Sequence, residues 1–474
     1  MLFSSLTFIF LFLPICLIGY FIFSFSRKLQ NMWLLIVSLV FYSWGNCKYL
    51  LLLLTSIILN YILGMLIYSS KKKGKSAKGL YCFTWISNMA IFFVFKYLNF
   101  TVDNLNILFD INIDVPEIAL PLGISFFTFQ GMSYVIDVYE GQVEVQKNPL
   151  YVGLYISFFP QLVAGPIVKY STIAEQINNR KVTYQKFSVG CCRFVTGLGK
   201  KILLSNNFAI VADKIFSLNE QGEEVAVLLA LVGIVAYTLQ IFFDFSAYSD
   251  MAIGLALMFG FSFNENFDYP YVSKSVTEFW RRWHISLTNW FREYIYIPLG
   301  GSRVSNTDKL VRNLFIVWMF TGIWHGASWN FILWGLFNFV FIFIEKFSHF
   351  ENLKIPSVFK HIYLLVVIMI GWVFFRAENL TLAWQYIKSL FGAEGFYDPA
   401  AFMYIREYAV FFIAGIIFSM PVGRRMNRLL YDKKAPVANV IISTLYPVIL
   451  MIMFLICVTY LVKGSYNPFI YFNF

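Results

Sequence analysis

The chain has 474 residues, of which 59% are hydrophobic and 13% charged, whereas ordinary water-soluble domains carry about 25% charged residues. That composition excludes a soluble globular protein, and 54 Phe, 29 Tyr and 12 Trp suit lipid-facing surfaces and the interfacial belts where aromatic rings settle. The net charge of +11 does not call for nucleic acid, because cytoplasmic loops of membrane proteins collect Lys and Arg.

A helix crossing hydrocarbon needs about 20 mainly apolar residues. The opening stretch MLFSSLTFIFLFLPICLIGYFIF has no basic leader and no small-residue cleavage site, so it reads as a retained anchor. Apolar runs then recur along the chain. The N-terminal ones lie near Phe3–Phe23, Met32–Trp44, Tyr49–Tyr68 and Leu80–Tyr97. The middle ones lie near Pro121–Tyr139, Tyr151–Val168, Phe187–Val211, Val225–Phe245, Met251–Phe263, Leu314–Trp324, Phe331–Phe347 and Ile362–Phe375, and the last near Tyr408–Met420 and Val440–Val462. Several are short or polar, which puts the number of membrane helices at roughly 10–13. Pro121, Pro160 and Pro166 point to broken or re-entrant helices, which are tolerated only where backbone is buried or lines a cavity.

The segments KKKGKSAK (Lys71–Lys78) and RRMNRLLYDKK (residues 424–434) read as cytoplasmic. The stretch Thr101–Glu117 carries Asp103, Asp110, Asp114 and Glu117 without Lys or Arg, and Asp213–Glu224 is net acidic, so both read as outside. The final span then delivers the tail KGSYNPFIYFNF to the outer face. Six cysteines show no zinc or disulfide spacing, and no metal site is expected. No repeat and no soluble domain is visible, so residues 1–474 read as a single integral membrane domain. Its parts are N-terminal spans over 1–120, a core over 121–376, and C-terminal spans with the tail over 377–474.

Two segments break the apolar pattern. In EFWRRWHISLTNWFREYIYIPLGGSR (Glu278–Arg303), Arg281, Arg282, His284, Arg292 and Glu293 stand among Trp280, Trp283, Trp290 and Phe291. Such a segment cannot face lipid across a bilayer. It reads either as an amphipathic interfacial anchor or as an anion site, since guanidinium forks match phosphate oxygens. In WMFTGIWHGASWNFILWGLF (Trp318–Phe337), His325 stands in an otherwise apolar run. Ionisable groups at membrane depth mark functional sites by default, although a histidine can also simply tie helices together. Burial would hold its imidazole neutral, the form a general base needs. Gln130, Asp137, Gln161, Gln240, Asp244 and Asp250 add polar groups to apolar runs, read as inter-helix hydrogen bonds or as a polar path.

The stretches PLGISFFTFQGMSYVIDVYEG (121–141), FFPQLVAGPI (158–167), FFDFSAYSDMAIGLALMFGF (242–261), EFWRRWHISLTNWFREYIYIPLGG (278–301) and TGIWHGASWNFILWG (321–335) resemble the membrane-bound O-acyltransferase family. Within it they are most similar to the bacterial alginate O-acetyltransferase branch, which also holds peptidoglycan and cellulose acetylation proteins. The resemblance implies an all-α polytopic fold, an MBOAT-type helical bundle with re-entrant or interfacial helices and a central tunnel, with 121–376 as catalytic core. It implies His325 and His284 as the catalytic positions. It also implies an acyl thioester, acetyl-CoA or another, as donor substrate with no permanently bound cofactor, and an extracytoplasmic polysaccharide as acceptor.

From these follow further expectations. Arg281, Arg282 and Arg292 would hold donor phosphates, His325 would act as general base, and Gln130, Asp244 and Asp250 would line the tunnel. The tail NPFIYFNF resembles an aromatic motif of this branch in which a tyrosine, here Tyr471, takes up the acyl group; an interfacial anchor is the other reading. The expected partners are an extracytoplasmic polysaccharide transferase or SGNH-like protein and the lipid bilayer of the bacterial cytoplasmic membrane. D-alanyl transfer to teichoic acid from a carrier protein and a transporter or flippase are the alternatives.

Overall fold

Backbone in hydrocarbon must satisfy its own N–H and C=O groups, and among the described residues every regular element is helical. The computed structural model describes the chain except residues 46, 305, 425–435, 465 and 471–474, and gives the backbone alone for 436–443. Most of the basic segment 424–434, and Tyr471, therefore lie outside the described residues. The chain divides into two compact units, Met1–Phe194 with Tyr248–Asn264, and Val195–Ala247 with Glu265–Phe474.

Among the described residues, seven helices are long and apolar enough to cross a membrane: Phe8–Phe25, Lys48–Lys72, Lys78–Lys96, Val227–Met258, Trp329–Phe347, Ser357–Arg376 and Thr444–Val462. The pair Pro399–Glu407 and Ala409–Phe418, bent by 67°, makes an eighth if taken as one broken span. Other apolar runs form shorter or broken helices. Met32–Trp44 falls in the 17-residue helix Arg27–Ser43, and Pro121–Tyr139 in the 17-residue helix Ile124–Glu140, which starts only after Gly123. Tyr151–Val168 is broken as its prolines predict. The helix Pro149–Ser157 stops at Phe158 (ψ 111°), and Pro160 sits in the first turn of a new four-residue helix, Phe159–Leu162, the place where a missing N–H does no harm.

In the first unit, buried amides join apolar packing in pairing helices, since apolar burial alone offers little between helices in lipid. Asn60 and Asn88 exchange amide hydrogen bonds of 3.1 Å between the helices Lys48–Lys72 and Lys78–Lys96. Gly131 admits this pair, since a Cβ there would stand 2.5 Å from Asn60 Nδ2. The second unit is organised around a contiguous aromatic core that includes Trp280, Trp283, Trp318, Trp334, Trp372 and Phe375.

Candidate active site

The segment around His325 folds as a helical hairpin. The helix Thr307–His325 ends at the histidine, Gly326 continues in extended conformation, and Ser328 caps the next helix, Trp329–Phe347, by accepting from Asn330 N. The two helices touch backbone to backbone at Gly322 and Gly335, where a Cβ on Gly335 would lie 2.5 Å from Trp318 O and 3.0 Å from Gly322 Cα. A β-carbon at Gly326 would in turn stand 2.2 Å from the Phe331 ring. The small residues of the motif are therefore the condition for a turn this tight, and the turn sets the histidine inside the core at 7% exposure. The rings of Trp334, Phe375 and Trp324 stand nearly perpendicular to the imidazole, with centroids at 4.9, 5.1 and 4.8 Å. Edge-to-face contacts of this kind contribute about 0.5–1.5 kcal/mol each and fix the plane of the ring.

His284 is reached by a second short helix. Ser275 caps Val276–Arg282 by accepting from Glu278 N, and the buried Glu345 carboxylate accepts from Val276 N at 2.6 Å, Thr277 N at 2.8 Å and the Thr277 hydroxyl at 2.7 Å. A carboxylate at a helix N-terminus is favoured by the unsatisfied amides and the dipole. Trp280 donates its indole N–H to Asn338 Oδ1 at 2.9 Å, so the helix is pinned twice to Trp329–Phe347. After Trp283 the backbone turns through a left-handed residue, His284 itself (φ 45°, ψ 52°), before the helix Ile285–Phe291. A non-glycine residue in that region costs about 1–3 kcal/mol and marks a site held by its surroundings.

The surroundings also set the proton on this ring. Asn266 Oδ1 accepts from Ser286 N at 3.1 Å and from the Ser286 hydroxyl at 2.9 Å, so the atom is an oxygen and an acceptor. His284 Nδ1, 3.2 Å from the same atom, must then carry the hydrogen and donate it. Nε2 keeps its lone pair, is buried, and has no hydrogen-bond partner among the described residues. Burial pushes the imidazole from its usual 6.5 down to about 3, because the charged form loses its hydration. Neutral, with one nitrogen committed and the other open, the ring is arranged as a base or hydrogen-bond acceptor.

The Trp324 indole packs against both histidines, with ring centroids 6.1 Å from His284 and 4.8 Å from His325, and Phe245 packs against His284 at 4.6 Å. His284 and His325 thus share one aromatic enclosure in the second unit. The arginines spread away from it. Arg282 is held by Glu278 at 2.9 Å and Asp268 at 3.5 Å, whereas Arg281 and Arg292 are 66% and 59% exposed and reach only long carboxylate contacts of 3.7 Å. Gln130 and Asp250 belong to the first unit. Both amide atoms of Gln130 are buried without a partner among the described residues, and Asp250 pairs with Arg193 at 2.9 Å. Asp244 belongs to the second unit and pairs with Lys201 at 2.6 Å.

Sequence reasoning passed over Asn266 and Glu345. Nothing in the loop FSFNENFDYP links Asn266 to a histidine 18 residues on. Glu345 did carry a signal, a carboxylate ending a long apolar run.

The model of the membrane-bound O-acyltransferase family, MBOAT, matches residues 39–383. The chain is 40% identical over 398 residues to a probable alginate O-acetylase of Azotobacter vinelandii, covering 82% of this chain and 78% of that protein. It is 35% identical over 429 residues to the peptidoglycan O-acetyltransferase of Helicobacter pylori, covering 83% and 80%. It is 29% identical over 245 residues to the teichoic acid D-alanyltransferase of Bacillus subtilis, covering 48% and 60%. A helical multi-pass membrane protein with two histidines in one aromatic enclosure, this chain belongs to the membrane-bound O-acyltransferase family and is an O-acyltransferase.

Proposed function

We propose that this enzyme moves an acetyl group from a cytoplasmic acyl thioester, acetyl-CoA foremost, through the bacterial cytoplasmic membrane for O-acetylation of an extracytoplasmic polysaccharide. The observation that carries the reading is the pair of imidazoles packed against Trp324, in a chain whose relatives are named for acetylating alginate and peptidoglycan. His325 takes the proton of the accepting hydroxyl while its oxygen attacks the thioester carbonyl; the carbon–sulfur bond breaks and the thiolate leaves. His284, open at Nε2, orients the reactants or relays the proton on the donor side. Excluding water from the enclosure protects the thioester from hydrolysis and strengthens every polar contact to the developing oxyanion.

The exposed guanidinium groups of Arg281 and Arg292 suit donor phosphates, and Arg282, already engaged by two carboxylates, serves that role least. Gln130, Asp244 and Asp250 would line a passage between the two faces, and Tyr471 would carry the acyl group toward an extracytoplasmic transferase, an SGNH-like protein. D-alanyl transfer to teichoic acid is the second reading, favoured by the partial likeness to the Bacillus subtilis protein.

The deciding experiment is acyl transfer by purified protein in nanodiscs, offered either acetyl-CoA or a D-alanyl carrier protein, together with mass spectrometry of surface glycans from cells with and without the gene. Acetyl transfer that disappears in a normally inserted His325→Ala variant supports the proposal. Undiminished transfer by that variant, or D-alanyl in place of acetyl, refutes it.

A further inference from the structure

The C-terminal segment Tyr466–Ile470 is held residue by residue. The Tyr466 hydroxyl donates to Asp213 Oδ2 at 2.8 Å, and Asp213 is itself paired with Arg376 at 3.0 Å. Asn467 Oδ1 accepts from Asn206 Nδ2 at 3.2 Å. The Pro468 carbonyl accepts from the Lys201 ammonium, and the Ile470 N–H donates to Asp244 Oδ2 at 2.9 Å. Lys201 and Asp244 pair with each other at 2.6 Å, and both side chains are only 2% exposed. The two charges are thus neutralised mutually, and their remaining bonds go to backbone groups of the tail.

Three features set this apart from an ordinary helix tie. Taking two charges out of water costs several kcal/mol per ion unless the remaining lone pairs and protons find partners, and here the tail backbone supplies an acceptor to Lys201 and a donor to Asp244. Lys201 lies on a π-helical stretch, Lys200–Ser205, directly before the helix Asn206–Glu220, and such local departures from α geometry recur at functional sites. Phe469 and Ile470 are buried, and Ile470 belongs to the same contiguous apolar core as Trp334 and Phe375, which enclose His325.

We propose that the Lys201–Asp244 pair is a clamp for the C-terminal segment, and that holding Pro468–Ile470 in place is a positioning step in acyl delivery to the acceptor. Its second half rests on the function proposed above; its first half does not. Asp244 accordingly acts through the tail backbone, in addition to any part in a polar passage.

Two double variants test it, followed by hydrogen–deuterium exchange of the C-terminal peptide containing Ile470 and by polymer acetylation in cells. In Lys201→Met/Asp244→Leu, apolar side chains replace the pair, a change helix bundles tolerate well; tail exchange rises at least about tenfold and acetylation falls by about the same factor. In Lys201→Asp/Asp244→Lys the ion pair is restored with reversed polarity. A carboxylate then faces the Pro468 carbonyl and an ammonium faces the Ile470 N–H, so a clamp stays broken whereas a simple helix tie is rescued. Should either protein fail to insert, Ile470→Pro removes the N–H that Asp244 holds without touching the pair, with the same expected loss. Rescue of tail protection by the reversed pair, or tail protection retained in the apolar variant, overturns the clamp. A loosened tail with acetylation within twofold of the parent overturns the positioning role. Absence of acetylated polymer in the parent strain defeats the proposed function, while the exchange measurement still reads the clamp.

Discussion

Asn266 is the residue whose replacement most directly interrogates the site. In Asn266→Leu the side chain keeps its approximate shape but loses the oxygen that accepts from Ser286 N, the Ser286 hydroxyl and His284 Nδ1. The Ser286 hydroxyl, 3.4 Å from Nδ1, can then turn to donate to the ring, whereas the Ser286 amide N–H is left stranded at a cost of about 1–3 kcal/mol. With Nδ1 accepting from that hydroxyl, the ring carries its proton on Nε2, which ties up the lone pair that the enclosure leaves open. A bias of about 1–3 kcal/mol toward the wrong tautomer lowers the population of the competent tautomer of His284 by roughly 5- to 150-fold, and, on the proposed role of this ring, acyl transfer falls accordingly. Asn266→Asp keeps the acceptor but adds a charge beside Nδ1. A neighbouring carboxylate raises a histidine pKa, so this variant regains transfer only as the pH is raised. The assays are acyl transfer by purified protein and nitrogen-15 NMR of labelled histidines, which reads the tautomer directly. A wild-type spectrum with the His284 proton on Nε2, or an Asn266→Leu protein within twofold of wild type, would refute the assignment.

Because burial lowers the His284 pKa to about 3, the unfolded chain binds a proton near pH 6.5 that the folded chain refuses, so stability falls as pH drops below 6.5 and the contribution amounts to about 2 kcal/mol between pH 7 and pH 5. Equilibrium unfolding in mixed micelles should show this acid sensitivity in the wild type and its loss in His284→Gln. Glu345→Gln keeps one acceptor oxygen but removes the charge from the N-terminus of Val276–Arg282; it should lower the unfolding free energy by about 1–2 kcal/mol and acyl transfer several-fold, read by thermal unfolding and the transfer assay. Gly335→Ala places a methyl group 2.5 Å from Trp318 O, forcing the hairpin apart; we expect a loss of about 1–3 kcal/mol and reduced thermal stability in detergent, with Gly74→Ala, in open space but at positive φ, costing less.

The legible part of this protein was the part written in composition and in local motifs. Membrane residence follows from the apolar fraction, and the break at Pro160 follows from a ring that cannot sit inside a helix. His325 stood out because an ionisable group in an apolar run is expensive, and Gly322, Gly326 and Gly335 then fixed how closely its hairpin closes. Hydropathy could not tell a crossing from a buried helix, so Leu314–Trp324 read like other spans, although its helix, Thr307–His325, carries Asp308, Lys309 and Arg312 in its first turns and is not among the seven apolar enough to cross. The polar partner of His284 was out of reach because Asn266 meets it only through tertiary packing, and Glu345 reaches the start of Val276–Arg282 the same way. Asp244 looked the same as Gln130 in the sequence, a polar group in an apolar run, until the fold supplied Lys201 and the Ile470 amide.

On the proposed mechanism, the enclosure explains why two histidines, and not a carboxylate, would serve a site this dry. A carboxylate is charged in its basic form, so burial weakens it as a base by pulling its proton on, and it would require a fixed cation nearby. Imidazole is neutral in its basic form, and burial works in its favour: the ring at position 284 remains deprotonated well below the pH of either compartment. The cost appears on the other side of the cycle, when the ring must carry charge as it accepts the proton. The rings around it stand in T-shaped contacts, Phe245 at 4.6 Å and Trp324 at 6.1 Å from His284 and Trp334 at 4.9 Å from His325, and a contact in which the imidazole edge meets a ring face offsets part of that charge through its π-electron density. An apolar but electron-rich wall thus keeps the base neutral before transfer and tolerates its protonation during transfer, which neither an aliphatic pocket nor an open aqueous cavity does.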